Sequence, residues 1–209
     1  MYPKFSSLEP EKKENIINAA IKEFARSGYD RASTNEIVKE ANIAKGSLFS
    51  YFHSKKELYV FLLNYIVEFI DKIYDELDWN ETDIFQRLKE IAVIKFKIYR
   101  KFPRAFDFLK ALAQENAPEV KSEIDNRMKK AVLDNGSARI YRNIDVTKFR
   151  DDIDIQKAIN IIHWTALSFA EQQSNNINSY EDSDVEQLRE WDNYLDLMKR
   201  CFYKKEENA

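Results

Sequence analysis

Residues 28–59 read GYDRASTNEIVKEANIAKGSLFSYFHSKKELY. Two short helices fit inside this stretch. Ser33 or Thr34 is placed to cap TNEIVKEA, with Glu36 three positions after Ser33 as in a capping box, and the helix ends near Asn42. After Asn42-Ile43-Ala44 comes KGSLFSYF, a second short helix, and then Ser54 caps a long one with Glu57 at its third position. Two short helices joined by such a turn form a helix-turn-helix, whose second helix can lie in a DNA major groove with its N-terminal residues at base edges. Short helix pairs also occur in proteins that never touch DNA, so a helical ligand-binding or scaffold protein without specific DNA binding is the alternative.

The rest of the chain reads as helix around this unit. Three glycines and four prolines in 209 residues are too few for a sandwich, a barrel or a doubly wound sheet with a Gly-rich phosphate loop. With 44% hydrophobic and 33% charged residues the chain has both a core and a solvated surface. No run of about 18 apolar residues is present, and MYPKFSSLEPEKKEN lacks an apolar signal core, which predicts a cytoplasmic protein with no membrane partner. A single cysteine, Cys201, forbids an internal disulfide and reads as a small packing residue in a helix. With His53 and His163 as the only histidines, no Cys/His zinc cluster can be assembled, and the sequence calls for neither metal nor cofactor. No nucleophile/base pair or phosphate loop appears, so an enzyme is not expected.

Charge is unevenly spread. The net charge is −3, but residues 1–60 hold 10 Lys/Arg against 8 Asp/Glu, whereas 61–209 hold 23 against 28. Within 31–56 the count is five (Arg31, Lys39, Lys45, Lys55, Lys56) against two (Glu36, Glu40), a compact basic segment on an acidic body.

Ahead of the quoted stretch, Pro10-Glu11 opens a helix with Ile16, Ile17, Ala20, Ile21, Phe24 and Ala25 at spacings of three and four, and Gly28 closes it. Beyond it, the long helix runs from about 55 to 77 with Leu58, Leu62, Tyr65, Ile66, Phe69, Ile73 and Leu77 on one stripe. Thr82 or Asn80 caps the fifth helix, which ends before Pro103; Pro103 and Pro118 sit where the first residues of the next two helices belong. Gly136 ends the latter, and 137–151 reads as helix or loop. A helix over about 152–174, apolar nearly all round in AINIIHWTALSFA, and another over about 184–203 complete the chain. The last carries Val185, Leu188, Trp191, Leu195, Met198 and Phe202 on one face. The terminal KKEEN is expected to fray.

The residues of the quoted stretch resemble the DNA-binding domain of the TetR family of bacterial transcriptional repressors (TetR/AcrR-type). That family's pattern runs Gly-aromatic, Thr ahead of Ile-Ala, Ala-Gly-Val-Ser, Gly-x-Leu-Tyr-x-Tyr/His-Phe and Lys-Glu-x-Leu. Most of it is matched in order and at the right spacings over about the first 60 residues, and the remainder matches in architecture. Three positions depart from the pattern. Asn42 stands where the family has the turn Gly, a tolerable change because Asn is well suited to the left-handed region. Ala44 replaces the Ser that caps the recognition helix, a loss of about 0.5–2 kcal/mol on the usual substitution scale. Phe49 replaces a Tyr and removes a hydroxyl.

The resemblance implies an all-α fold of about nine helices: a DNA-binding domain over 10–70, with its helix-turn-helix at about 33–52, joined through the long fourth helix to a ligand-binding and dimerisation domain over 71–209. It implies a regulator, most simply a repressor released from a palindromic double-stranded operator by a small hydrophobic or amphipathic effector. Carried over by position, Thr34 presents a hydroxyl at a helix start to a phosphate. Lys45, Gly46 and Ser47 open the recognition helix, Ser50, Tyr51 and His53 follow, and Lys55 and Lys56 supply phosphate charge. Leu48, Phe49 and Phe52 read as core. For the effector pocket the candidates are the aromatic Tyr65, Phe69, Phe96, Tyr99, Phe106 and Trp164 together with Leu109, with Glu68, Asp107 and Glu115 as partners for a cationic ligand. The last two helices suit a two-fold homodimer interface, which would set two recognition helices about 34–36 Å apart.

Overall fold

The structure, a computed structural model, describes residues 2–135, 137–175 and 183–205. The described residues form α1 (Pro3–Ser6), α2 (Pro10–Arg31), α3 (Thr34–Glu40), α4 (Lys45–Tyr51), α5 (Lys55–Tyr74) and α6 (Ile84–Lys101). They continue with α7 (Ala105–Gln114), α8 (Pro118–Asn135), α9 (Ser137–Ile140), a 3-10 turn at Val146–Lys148, α10 (Ile155–Asn175) and α11 (Ser183–Phe202). Among them no strand occurs, only an isolated bridge between Phe149 and Tyr203. The all-helical class expected from the scarcity of glycine is therefore the observed one. The nine expected elements are present, with α1 and α9 as additional four-residue turns. Gly136 and the last four residues lie outside the described residues.

The chain falls into two compact units, Met1–Ile73 with Ile98–Gly136, and Tyr74–Lys97 with Ser137–Ala209. A single cut near residue 70 does not separate them, because 98–136 belongs with the N-terminal segment.

In the first unit α2 buries Ile16, Ile17, Ala20, Ile21 and Phe24, the positions its spacing marks as apolar, while Ala25 is half-buried. Leu58, Leu62 and Ile66 of α5 are likewise buried. Each such Ile, Leu or Phe side chain contributes roughly 1.5–3 kcal/mol by leaving water. Aromatic edges close the interior: Tyr59 meets Phe24 at 4.9 Å, Tyr29 at 5.1 Å and Phe108 of α7 at 5.7 Å between ring centroids. Gly28 is not a simple helix end. At φ 68°, ψ 177° it breaks α2 internally in a region essentially reserved for glycine, and one further turn follows to Arg31. The Tyr29 N–H behind it donates to Glu115 Oε2 at 2.7 Å, and a Cβ on residue 28 would lie 3.3 Å from that same oxygen. Glu115 Oε1 accepts from the Asn116 and Ala117 N–H groups at 2.9 Å each, just ahead of Pro118, which opens α8 as predicted.

In the second unit Asp83 is the hub. Its Oδ1 accepts from the Phe85 N–H at 2.9 Å and from the Tyr203 hydroxyl at 3.2 Å, and its Oδ2 lies 3.3 Å from both Lys148 Nζ and Lys199 Nζ. Asp83, rather than Thr82 or Asn80, therefore caps α6, because only a carboxylate at this position answers two lysines as well as the helix N–H. Burial alone would raise the Asp83 carboxyl, but the Phe85 N–H and the two lysines outweigh it and hold it below its ordinary value. Arg87 is fully buried and donates to the Ile140, Arg142 and Glu81 carbonyls and to Asn143 Oδ1, tying down the turn at 140–143. Two further expectations are corrected. Pro103 precedes α7 by two residues, with Arg104 at its cap, and Cys201 is exposed on α11 rather than packed.

Gly28→Ala is expected to lower stability by about 1–3 kcal/mol, since alanine is forced into a backbone region it avoids with its methyl against a charged oxygen. Chemical denaturation of the two chains side by side measures it, and an unchanged midpoint would contradict this account of the turn.

Candidate nucleic-acid interface

Two local devices orient α3 and α4. Ser33 caps α3, its Oγ accepting from the Glu36 N–H at 3.4 Å. The reciprocal half of a capping box is absent: the Ser33 N–H instead donates to Glu23 Oε1 of α2 at 3.0 Å. Glu23 is buried, and it also accepts from Arg26 and from the Ser27 hydroxyl. Burial alone would raise its carboxyl; the hydrogen bonds from Ser33, Arg26 and Ser27 outweigh it and hold it below its ordinary value.

The α3–α4 turn follows from Asn42. At φ 50° it occupies the left-handed region, the Ile43 N–H donates to the Val38 carbonyl at 3.0 Å, and the Asn42 N–H donates to the Lys39 carbonyl at 3.2 Å. This is the Schellman helix end with asparagine in glycine's place. Ala44 then opens α4 at φ −71°, ψ 144°, with no side-chain cap. Leu48 and Phe52, one turn apart, are buried and fix which side of α4 faces inward. Lys45, Gly46 and Ser50 are exposed, with Ser47 and Tyr51 half-buried at the margin. Phe49, read as core, is instead 36% exposed, because it falls off the Leu48–Phe52 stripe. Nothing lies within 4 Å of where a Cβ on Gly46 would stand, so this position is open toward solvent.

The other expected contacts divide. Thr34 is half-buried at the start of α3, while Lys45 makes no hydrogen bond or ion pair among the described residues. His53 is exposed and its Nδ1 lies 3.1 Å from Glu57 Oε2. The two lysines expected to carry phosphate charge are engaged within the chain. Lys55 Nζ donates to the Asp30 carbonyl at 3.0 Å and the Ala32 carbonyl at 3.4 Å, and lies 4.8 Å from the centre of the Tyr29 ring. Lys56 pairs with Glu123 at 2.8 Å, which together with the Ser122 hydroxyl lowers the Glu123 carboxyl to about 2. One contributor was not legible beforehand. α1 packs against α4, burying Phe5 against Phe52 at 4.9 Å between centroids, and Lys4 Nζ donates to Ser50 Oγ at 3.1 Å.

The expected effector residues are less gathered. In the first unit Tyr65 and Phe69 both meet Phe102, at 5.8 and 4.9 Å, and Tyr99 meets Phe106 at 4.8 Å, with Leu109 half-buried nearby in sequence. Burial raises the Tyr99 phenol to about 12, with Asp107 adding to the shift. Phe96 is half-buried in the second unit, and Trp164 is 63% exposed on α10. A cavity of about 420 Å³ in the first unit is lined by Lys22, Ala25, Arg26, Arg104, Asp107, Lys110, Ala111 and Gln114. Apart from Asp107, paired with Arg104 at 2.9 Å, it shares no residue with the expected set. Glu68 is exposed, and Glu115, offered as a partner for a cationic ligand, is occupied by three backbone N–H groups.

The geometry defines a helix-turn-helix protein with a solvent-facing second helix. The family model described as bacterial regulatory proteins, tetR family, matches residues 16–60. The HTH-type transcriptional regulator YuxN of Bacillus subtilis (strain 168) is 42% identical over 67 residues, 32% of this chain and 22% of that protein. IcaR of Staphylococcus epidermidis, a negative transcriptional regulator of the biofilm operon icaADBC, is 25% identical over 123 residues, 56% of this chain and 66% of that protein. The chain spans about half or less of the first three curated relatives it matches, 22%, 49% and 46% of their length. Among solved structures, a TetR family transcriptional regulator from Chloroflexus aurantiacus J-10-FL shares the fold, with a TM-score of 0.57 at 21% identity over 97% of this chain and 98% of that one. Over residues 16–60 the chain is similar to the tetR family. Among the described residues no helix is long and apolar enough to cross a membrane, and no group of three or more His, Cys, Asp or Glu is placed to hold a metal.

Ala44 already has cap geometry, so Ala44→Ser is expected to stabilise the chain by about 0.5–2 kcal/mol. A rise in thermal midpoint measures it; an unchanged or lower midpoint would show that the α4 start is satisfied by other means.

Proposed function

We propose that the chain is a ligand-responsive DNA-binding transcriptional regulator, acting as a repressor released from a palindromic operator by a small hydrophobic or amphipathic effector. The observation that carries this reading is the exposed Lys45–Gly46–Ser50 face of α4, with Ser47 half-buried at its margin, held outward by buried Leu48 and Phe52. Lys45, uncommitted among the described residues, suits guanine O6/N7 or a phosphate. Gly46 admits close backbone approach, and the Ser47 and Ser50 hydroxyls can donate or accept at base edges. Thr34 adds a hydroxyl at the α3 start. The IcaR relative, a negative regulator by name, supports repression over activation. A DNA-reading role belongs in the cytoplasm and calls for no catalytic residue.

The operator-bound form is a homodimer joined through α10 and α11. Ile161, Trp164 and Leu167 recur along α10 at 44%, 63% and 55% exposure, and Tyr194 and Leu197 of α11 at 41% and 51%, a solvent-facing apolar area of the kind that marks an interface. The stripe first assigned to this interface on α11 is partly used inside the unit: Trp191, Leu195 and Met198 are buried, and the Trp191 indole N–H donates to the Leu88 carbonyl at 3.3 Å. The effector acts by binding more tightly to the dimer state whose two α4 helices do not match one DNA turn, since a ligand without such a preference shifts nothing.

A gel shift on the DNA flanking the chain's own gene is expected to give specific, salt-sensitive binding, and Lys45→Ala to relax its sequence preference. Absence of salt-sensitive binding at low salt would overturn the DNA reading. Trp164→Glu is expected to convert a dimer to a monomer in sedimentation velocity. A wild-type chain that sediments as a monomer at micromolar concentration would overturn the interface.

A further inference from the structure

We infer that the N-terminal arm, Tyr2–Ser7, is part of the DNA-reading surface and that Lys4 is a phosphate-contacting residue of it. The inference rests on the reading of α4 as the DNA-facing helix.

The arm is seated by its aromatic residues. Phe5 is 3% exposed and lies 4.9 Å from Phe52, 5.2 Å from Phe61 and 6.1 Å from Tyr51, centre to centre. Tyr2 meets Phe52 at 4.9 Å and Phe61 at 5.5 Å, and its hydroxyl donates to the Glu57 carbonyl at 3.4 Å. Phe52 is the inward anchor of α4, so the segment that buries Phe5 is fixed to the recognition helix itself. Between the two aromatic residues in sequence is Lys4, exposed, with its ammonium 3.1 Å from Ser50 Oγ. Ser50 lies one helical turn beyond Gly46 and so on the same open face. A hydroxyl leaves the lysine charge uncompensated, unlike a carboxylate.

Charge accounting points the same way. Lys55 is held by two carbonyls and a ring, and Lys56 by Glu123. Their use on DNA would break contacts the chain already makes. Lys4 and Lys45 break no ion pair among the described residues and place one cation beside each end of the exposed α4 face. A phosphate oxygen reaching Lys4 needs only to join or replace the Ser50 hydroxyl.

The test is fluorescence anisotropy of the full chain on a fluorescein-labelled 30-base-pair duplex of random sequence, titrated across salt concentrations, with Lys4→Ala, Lys4→Arg and Lys45→Ala alongside. Loss of one phosphate contact lowers the slope of log affinity against log salt by about 0.9 and weakens binding roughly 3–10-fold at 100 mM salt. Lys4→Ala is expected to show this with an unchanged thermal midpoint, because Phe5 and Tyr2 still seat the arm, and Lys4→Arg to keep the wild-type slope. An unchanged slope in Lys4→Ala, with a reduced one in Lys45→Ala, would overturn the role of the arm and leave the α4 reading standing. A lowered midpoint with the slope intact would make Lys4 a structural residue only and also overturn it. Wild-type chain without salt-sensitive binding would overturn the α4 reading and the arm with it.

Discussion

Two carboxylates gather the backbone where α2 gives way to α3, and the placement of the helix-turn-helix depends on them. Glu115 takes the Tyr29 N–H and Glu23 takes the Ser33 N–H, one on each side of the Asp30–Ala32 corner. Hydrogen bonds to charged acceptors contribute about 1.5–3 kcal/mol each, enough to fix a bend that no repeating structure supports. Gly28 makes the bend possible by taking a conformation other residues avoid, and Lys55 closes it from α5 through the Asp30 and Ala32 carbonyls. The direction in which α3 leaves the bend is thus set by contacts that do not involve α4. Because both carboxyls are held below their ordinary values, the arrangement is complete at neutral pH.

From that bend outward the geometry is local. Ser33 starts α3, Asn42 stops it in a Schellman end, and the buried pair Leu48 and Phe52 decides the rotation of α4. A chain with net charge −3 can nevertheless present cations to DNA, because phosphate attraction depends on the few lysines at the reading face rather than on the average. On the proposed reading, Lys45 at the head of α4 and Lys4 beside Ser50 are such lysines. Lys55 and Lys56 act inside the unit, which explains how a pair that looks like a phosphate clamp in the sequence can be structural.

What was legible in the sequence was what short spacing controls. The Ser33 cap, the left-handed Asn42, Pro118 at the start of α8 and the apolar positions of α2 and α5 all follow from residues within four positions of one another. What was not legible depends on partners far along the chain. Glu23 replaces the second half of the capping box, and Glu115 reaches Tyr29 across 86 residues. Asp83 outcompetes Thr82 and Asn80 as a cap because Lys148, Lys199 and Tyr203 converge on it. Phe49 and Cys201 were assigned to the interior by residue type, yet helical rotation places both outside. α1 escaped notice because a four-residue turn has no periodicity to read, and only Phe5 meeting Phe52 gives it a place.

Hydrogen exchange of the full chain with and without duplex DNA tests the central claim most directly, since it locates the contact instead of inferring it from affinity. The account predicts slowed exchange concentrated in the α3 start and α4, together with the arm at residues 2–7. Slowed exchange confined to other helices, with α4 unchanged, would contradict it.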